Sequence, residues 1–419
     1  MRFILSMVCF LLAIDVTAQN DSFYLFKPSR VFDGDAMHSD WVVLVHGNSI
    51  EAAGPMQFKL PANTRVIELT GATLMPGMIE GHSHLFLHPY NEVTWNNQVV
   101  TESRAERTAR AVMHARATLM AGFTMVRDLG TEGAAFDDVG LKHAIEKGII
   151  EGPRIIVATK AIVARGSYGP NLHNADLDLP QGAAEISGPE EMAKEVRDEI
   201  SNGADLIKLY ADYRWGAGGT TSPTLTLSEI QIATDIATNG GRVTVAHAAS
   251  RQGMRNAILG GVKTIEHGDE GDEAIFMLMK EKQVAFFATL AAGEAYAEYA
   301  GWKKGTDTLT EHLRQKKKSF QAALKSGVTI GMGGDVGVYS HGTNAREMEL
   351  MVEYGMKPID VLRSATSVNA SIFGYANKLG RIRKGLLADI VIVDGDPSVN
   401  ISDARKVRMV MKDGVFYKR

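Results

Sequence analysis

The sequence predicts an α/β fold, namely a (β/α)8 TIM barrel over residues 73–376 with a small β-sandwich domain formed from both chain ends. Two observations carry this prediction. The middle of the chain alternates short apolar, β-rich runs with amphipathic helices, whereas the two flanks contain short strands and turns. The apolar runs end near Ile79, Val126, Ala158, Tyr210, Ala246, Ile265, Leu290 and Met332. Eight parallel strands with intervening helices close most naturally into a barrel.

The first 18 residues predict an export signal. Arg2 supplies a positive start, residues 3–14 form a short apolar stretch, and Val16-Thr17-Ala18 has the small residues of a cleavage site. The apolar run is too short to span a membrane. Because the single cysteine, Cys9, lies inside this segment, a metal site in the mature chain must use histidine, carboxylate and lysine. We expect an exported protein, periplasmic or secreted.

The flanking segments, residues 19–72 and 377–419, are expected to form the small domain together. Val42–Val45 on one side, and residues 388–393, 407–411 and 415–417 on the other, predict short strands. Neither flank has enough strands for a stable sheet alone, so we expect them to join.

Within the predicted barrel, the first strand is expected over Thr73–Ile79, and glycines that end the preceding helices announce several later strands. A representative helix is predicted from Pro189 to Ser201, with Ser187 as its N-cap. Its Met192, Ala193, Val196 and Ile200 share one face, which is the pattern of a helix packed outside a barrel.

The charge pattern excludes two classes of partner. A net charge of -4 and a pI near 6.3 give no electrostatic basis for binding nucleic acid or an anionic membrane. The run Lys316-Lys317-Lys318 predicts a solvated helix face. We expect a small-molecule partner, no nucleic acid, and no membrane after signal cleavage; fold analogy weakly favours a homo-oligomer.

Six residues at predicted strand ends are candidate metal ligands. They are His82, His84, Lys208, His247, His267 and Asp335. Catalytic groups of a barrel come from the C-terminal ends of its strands. Alternate residues on a strand share a face, so His82 and His84 can reach one ion, and imidazole and carboxylate suit zinc.

At these motifs the chain resembles the metal-dependent amidohydrolase superfamily. The resemblance rests on residues 31–34, on residues 75–84, which read Met-Pro-Gly-Met-Ile-Glu-Gly-His-Ser-His, and on residues 385–390. Residues 121–128, 203–208 and 341–344 are most similar to the branch of Xaa-Pro dipeptidases and amino-acid-releasing carboxypeptidases, which is imidazolonepropionase-like. Exported amidases that cleave the amide of ochratoxin look similar too.

The resemblance implies two Zn2+ ions bridged by a carboxylated Lys208. It assigns His82, His84 and Asp335 to the first ion and His247 and His267 to the second. The chain departs from the dipeptidase pattern after strand 3, where residues 164–170 replace a Gly-Gly-His segment. The departure bears on substrate specificity and leaves the ligand set intact.

The predicted function is hydrolysis of the amide bond of dipeptides or N-acyl amino acids, with release of the C-terminal amino acid, by a metal-bridging hydroxide. Asp335 is the predicted catalytic residue, since a carboxylate can bind metal with one oxygen and shuttle a proton with the other. Alternatives are hydrolysis of a cyclic amide, a lactone or an ochratoxin-like amide. The non-enzyme alternative is a binding protein whose barrel no longer catalyses a reaction.

Five residues on predicted loops are candidates for substrate binding. Arginine can bind a carboxylate through two bonds, and tyrosine can donate to a carboxylate or an oxyanion. The candidates are Arg165, Tyr168, Tyr210, Arg214 and His341.

Overall fold

The computed structural model describes residues 22–170, 176–216 and 218–419, so the predicted export signal lies outside the described residues. In chain order the strands are β1 (Phe23–Phe32), β2 (Met37–His38), β3 (Trp41–His46), β4 (Ser49–Pro55), β5 (Arg65–Pro76), β6 (Met78–Ser83), β7 (Phe123–Asp128), β8 (Arg154–Val157), β9 (Ile162–Ala164), β10 (Ala184–Ile186), β11 (Leu206–Tyr210), β12 (Asp212–Arg214), β13 (Thr221–Pro223), β14 (Val243–Ala248), β15 (Thr264–His267), β16 (Ala285–Phe287), β17 (Ile330–Gly331), β18 (Ile390–Asp394), β19 (Val407–Lys412) and β20 (Val415–Lys418).

The helices follow most of the strands in the middle of the chain. They are α1 (Trp95–Thr101), α2 (Arg104–Met120), α3 (Asp137–Glu146), α4 (Pro189–Ser201), α5 (Leu227–Asn239), α6 (Arg251–Leu259), α7 (Glu273–Glu281), α8 (Leu290–Tyr299), α9 (Glu311–Ser326), α10 (Ala345–Glu353), α11 (Pro358–Arg363) and α12 (Asn369–Ile372), with a short π-helix (Ser364–Val368) and a 3-10 helix (Ile401–Arg405). Over the three described ranges, no helix is both long and apolar enough to cross a membrane.

Strands from both ends of the chain pair in one sheet. Its order is β20-β19-β18-β5-β1-β3-β4, and β2 pairs with β1. The junction between the two ends is the antiparallel pair β5 and β18, in which Thr73 lies opposite Val393. Phe26, Val43 and Ile392 are fully buried in one apolar cluster of this sheet. The two flanks therefore share a core, while the sandwich form and the domain boundaries stay predictions.

The middle of the chain forms two parallel sheets, which confirms a mixed α/β fold. One has the order β6-β7-β8 and the other β10-β9-β11-β14-β15-β16-β17. Backbone bonds also run between them: Asp205 N donates to Val157 O at 2.9 Å, and Gly81 N donates to Met332 O at 3.0 Å. All the strand pairs of both sheets are parallel, so their C-terminal ends face the same side.

Two strand predictions differ from the structure. The predicted strand Thr73–Ile79 is divided, because residues up to Pro76 belong to β5 in the mixed sheet and β6 begins at Met78. Gly77, between them, packs against Thr124 so closely that a Cβ would overlap it. The strand expected to end near Leu290 ends at Phe287, since Thr289 has a left-handed φ of 47° and Leu290 begins α8.

The predicted helix from Pro189 to Ser201 is confirmed as α4, with Met192 and Val196 buried. The prediction of Ser187 as its N-cap is wrong, because Gly188 holds that position with φ 89°. The Glu191 carboxylate accepts a hydrogen bond from Ser187 N at 2.7 Å and so supports the turn that precedes the helix.

Candidate active site

The six predicted ligands converge at the C-terminal ends of the parallel strands. His82 lies in β6, Lys208 in β11, His247 in β14 and His267 at the end of β15, while Asp335 follows β17. His84 follows β6 directly, two residues after His82. Gly81 precedes them because a Cβ there would overlap the Phe287 ring and the Met332 carbonyl oxygen.

His82, His84 and Asp335 form a compact group. Asp335 Oδ1 lies 3.5 Å from His82 Nε2 and 3.3 Å from His84 Nε2. One ligand atom from each residue lies within 4.8 Å of the others, a spacing that could hold a metal ion. His84 Nδ1 bonds the Gly130 carbonyl oxygen at 2.9 Å, which turns Nε2 toward Asp335.

His247 and His267 continue the group on the next two strands. Their ring centroids are 4.3 Å apart, and those of His82 and His267 are 5.1 Å apart. Burial lowers the pKa of His247 to about 3 and holds the pKa of His267 and of His82 well below the usual value. These three imidazoles are therefore neutral near pH 7, as metal ligation requires.

Lys208 lies in the same region of the site. Its side chain is 1% exposed, and within the described residues neither its Nζ nor His82 Nε2 has a hydrogen-bond partner. Buried polar atoms are rarely left unpaired, and Lys208 lies close enough to His82 to affect its charge, so these two atoms indicate a group that binds in this region. Burial lowers the pKa of Lys208 to about 8. The imidazoles and the carboxylate of this group suit zinc, and Lys208 would suit it only as a carbamate.

Glu266 and Arg127 form a buried pair that contacts the ligand group, and no sequence motif indicates this role of Glu266. Glu266 Oε2 bonds His82 Nδ1 at 2.9 Å, and Glu266 Oε1 accepts from Arg127 Nη2 at 2.8 Å. Arg127 lies between the rings of Phe287 and Phe373, at 4.5 and 4.7 Å from their centroids. The pair fixes the tautomer and orientation of His82.

A second set of hydrogen bonds lies around His267, and it shows that Lys316 is not on a solvated face. His267 Nδ1 bonds Thr289 Oγ1 at 2.8 Å, and Lys316 Nζ donates to Asp269 Oδ1 at 2.6 Å. The Lys316 side chain is 4% exposed and borders the cavity. The prediction of a solvated face is therefore wrong for Lys316, since α9 turns this lysine inward beside Asp269.

The backbone is strained where the ligands emerge. His267, Thr289 and Asp335 have φ values of 76°, 47° and 62°. Such conformations cost about 1 to 3 kcal/mol each for residues with a Cβ. Asp335 is held in place by its own N–H, which donates to His82 O at 2.8 Å.

A cavity of about 430 Å³ opens above the ligands and adjoins an outer cavity of about 730 Å³. His84, His247, His267 and Asp335 line the inner cavity. Arg214 lines both cavities, together with rings from several segments of the chain. The shared rings are those of Tyr90, Tyr168, Tyr213 and Tyr296.

The predicted substrate residues have different surroundings. Tyr168 and Tyr210 line the inner cavity, but each hydroxyl donates to Glu132, at 2.5 and 3.2 Å. Arg165 is 61% exposed and pairs with Glu191. His341 is stacked on His114 with centroids 4.3 Å apart, and its Nε2 bonds the Leu87 carbonyl oxygen. Only Tyr168, Tyr210 and Arg214 of these five border the cavities formed by the described residues.

Glu132 is a site residue that sequence reasoning missed. It follows β7 in the segment Gly130-Thr-Glu-Gly133, has φ 50° and is 1% exposed. In the sequence, only its position after a strand end indicates that Glu132 is a site residue, because its partners Tyr168 and Tyr210 come from distant segments.

Residues 73–416 match the family model described as "Amidohydrolase family". The chain belongs to the amidohydrolase family. Ochratoxinase of Aspergillus niger is 30% identical over 382 residues, covering 82% of this chain and 75% of that protein. This amidohydrolase is thus related to known hydrolases, and it is a metal-dependent hydrolase.

Solved structures are similar to this amidohydrolase over nearly its whole chain. A Xaa-Pro dipeptidase with bound methionine in its active site superposes with a TM-score of 0.83 and 31% identity, covering 95% of this chain and all of that one. A prolidase complexed with N-methylphosphonate-L-proline gives a TM-score of 0.81 and 28% identity, with coverage of 95% and 100%. These neighbours support the dipeptidase branch.

Proposed function

We propose that this protein is an exported binuclear zinc amidohydrolase that releases the C-terminal amino acid from dipeptides or N-acyl amino acids. The single observation that carries the proposal is the convergence of six groups beneath one cavity, four of them buried and two half-buried, among them a lysine whose Nζ has no hydrogen-bond partner within the described residues. A lysine ammonium between two metal ions would be strongly repelled. Its carbamate is a carboxylate and suits both ions.

We assign His82, His84 and Asp335 to the first zinc, His247 and His267 to the second, and carboxylated Lys208 to both. When bound, the two ions supply a nucleophilic hydroxide at neutral pH and polarise the scissile carbonyl. The lysine reacts as the neutral amine: its Nζ bonds to the carbon of CO2 and one proton is released. A pKa of about 8 leaves about a tenth of Lys208 neutral at pH 7, which favours this reaction.

Asp335 is the residue that we assign to proton transfer. Its Oδ1 is directed at His82 Nε2 and His84 Nε2, so the second carboxylate oxygen is the one we assign to the proton. Asp335 would accept this proton from the nucleophile as the nucleophile attacks the carbonyl carbon, and would give it to the leaving amine nitrogen as the amide bond breaks. Burial opposes ionisation, but the hydrogen bond and the charge of the neighbouring His84 hold the pKa of this carboxyl far below its usual value, so it begins the cycle ionised.

Arg214 is the residue that we assign to the substrate carboxylate. It is exposed to the space shared by both cavities, and its guanidinium lies 5.4 Å from the Tyr213 centroid. We do not assign Tyr168 and Tyr210 to the substrate carboxylate. A phenol has one proton, and each of these hydroxyls donates it in a hydrogen bond to Glu132.

An ochratoxin-like amide, in which an aromatic acyl group is joined to an amino acid, is the second candidate substrate. Ochratoxinase is among the relatives, and aromatic rings line the outer cavity. An aromatic acyl group would gain apolar and ring contacts there.

The remaining proposals concern architecture and location. We propose that β6, β7, β8, β11, β14, β15, β16 and β17 form a closed (β/α)8 barrel. Two backbone bonds between the sheets support closure: Gly81 in β6 bonds Met332, which follows β17, and Asp205, which precedes β11, bonds Val157 in β8. We also propose that the chain-end strands form a sandwich and that the protein is exported to the periplasm or medium as a homo-oligomer.

The test is a substrate panel with the zinc-loaded protein. Release of free amino acids is measured from N-acyl amino acids and from Xaa-Pro, Xaa-Arg and Xaa-Phe dipeptides, before and after chelation. We expect selective release that chelation abolishes and zinc restores. No release from any member, with two zinc ions bound, would contradict the proposal and direct attention to cyclic amides and lactones.

A further inference from the structure

One buried carboxylate at the cavity wall is not used by the proposed chemistry. Glu132 Oε2 accepts from Trp95 Nε1 at 2.9 Å and from the Tyr168 hydroxyl at 2.5 Å, and Oε1 accepts from the Tyr210 hydroxyl at 3.2 Å. All three donors are neutral. These three contacts therefore stabilise the negative charge of Glu132 without cancelling it. The cationic neighbours are the buried Arg107 and His84, whose Nδ1 lies 3.9 Å from Oε1 and which becomes neutral when it ligates zinc.

The bonding of Glu132 leaves room for one more donor. An ionised carboxylate has about four acceptor positions, and three are occupied here. The fourth is on Oε1, which also lies 3.9 Å from His84 Nδ1 and thus faces the ligand group. The phenol protons of Tyr168 and Tyr210 are already directed at Glu132. These two hydroxyls therefore cannot donate hydrogen bonds to an anion, and this side of the cavity favours a cation.

Aromatic rings strengthen the preference for a cation. The Tyr168 ring lies 4.8 Å from that of Tyr210 and 4.9 Å from that of Tyr213. The Trp95 ring lies 4.8 Å from that of Tyr168. Ring faces attract ammonium groups, more strongly when water is excluded.

We propose that Glu132 and the rings around it bind the free α-ammonium of the substrate, so that the substrates are unblocked dipeptides rather than N-acyl amino acids. An α-ammonium is one carbon removed from the scissile carbonyl, and its counter-charge must therefore lie beside the ligand group, as Glu132 does. The inference rests on the proposed amide hydrolysis. Glu132 would bind the ammonium end of a dipeptide and Arg214 its carboxylate end, and both residues line the inner cavity.

The test compares two substrates of nearly the same shape, alanyl-Xaa and propionyl-Xaa, in which Xaa is the amino acid released fastest from the panel. Only alanyl-Xaa carries the ammonium. For the wild-type protein we expect kcat/KM to favour alanyl-Xaa by about tenfold to a hundredfold, the range for a hydrogen bond to a charged group. In Glu132→Gln we expect this ratio to fall close to one, because kcat/KM for alanyl-Xaa should fall much more than kcat/KM for propionyl-Xaa.

Glu185→Gln is the matched control, because Glu185 lines the outer cavity and its carboxylate accepts from Gly166 N at 2.9 Å. It removes the same charge and should keep the wild-type ratio. A wild-type ratio of one or less would overturn the inference while leaving the proposed function intact. An equal loss of both substrates in Glu132→Gln would also overturn it, since that loss indicates only a structural role.

If the panel shows no hydrolysis at all, the proposed function fails and the inference is tested by binding. Calorimetry on the zinc-loaded wild-type protein then compares alanyl-Xaa with propionyl-Xaa, Xaa being phenylalanine. Tighter binding of the dipeptide by tenfold or more supports an ammonium site, and equal binding overturns it.

Discussion

Replacing Arg127 by methionine should destabilise this protein strongly, although Arg127 is not a metal ligand. The pair of Arg127 and Glu266 has side chains that are 1% and 0% exposed, with a 2.8 Å contact between Nη2 and Oε1. Removing one partner of such a buried pair costs about 3 to 5 kcal/mol, because the other charge is left without compensation. Methionine keeps apolar contact with Phe287 and Phe373, so the loss of charge dominates.

The second effect of Arg127→Met should be weaker metal binding. Glu266 bonds both Arg127 and His82 Nδ1, so the variant loosens the group that orients His82. Loss of such a supporting contact weakens metal affinity by about tenfold to a hundredfold. Competition with a zinc chelator measures this change apart from catalysis.

Urea unfolding followed by the fluorescence of the four tryptophans measures the stability change, with chelator present in every sample. Arg116→Met is the control, since Arg116 and Glu151 form an ion pair on the surface at 3.0 Å with side chains 54% and 51% exposed. An exposed pair contributes at most about 1 kcal/mol. If Arg127→Met lowers the free energy of unfolding no more than Arg116→Met does, the buried pair does not stabilise this region and the reasoning fails.

Four further predictions address the ligand group and the cavity. Asp335→Asn should lower kcat by about a hundredfold to ten-thousandfold while far-UV circular dichroism is unchanged, and full activity would exclude its proton role. Lys208→Ala should bind fewer zinc ions per chain by elemental analysis; two retained ions would contradict the bridging assignment. Because burial lowers the pKa of Lys208 to about 8, its neutral fraction should rise about tenfold from pH 7 to pH 9. The rate of reconstitution with zinc, at a fixed concentration of dissolved CO2, should rise with that fraction, and a flat profile would contradict carboxylation. Arg214→Met should raise KM for dipeptides about tenfold or more, whereas the exposed Arg165→Met should not; equal effects would refute the carboxylate assignment.

The convergence of the six candidate ligands could be predicted from the sequence because each lies in or just after a short apolar strand, and parallel strands end on one side of a sheet. His82, Lys208 and Asp335 needed only this local pattern and the topology. Mixed α/β structure and the helix α4 followed from periodicity in the same way.

Residues defined by distant partners could not be predicted in this way. Glu132 and Tyr210 are 78 positions apart, and Arg127 and Glu266 are 139 apart. Neither carboxylate belongs to a pattern that reveals its partner. Lys316 was misjudged for a related reason, because three consecutive lysines point in three directions on a helix and only the structure shows which one meets Asp269.

The sheet that joins the two chain ends also sets the time at which folding can finish. Thr73 Oγ1 donates to Gly395 O across 322 positions of sequence, and β5 pairs directly with β18. A ribosome adds about 5 to 20 residues per second, so β5 waits roughly 20 to 60 s for its partner strand to be made. During that interval β5 has an unpaired edge, which can pair with other chains. Nascent chains stalled before β18 should therefore be protease-sensitive in β1 to β5 and depend on chaperones that cover exposed strands.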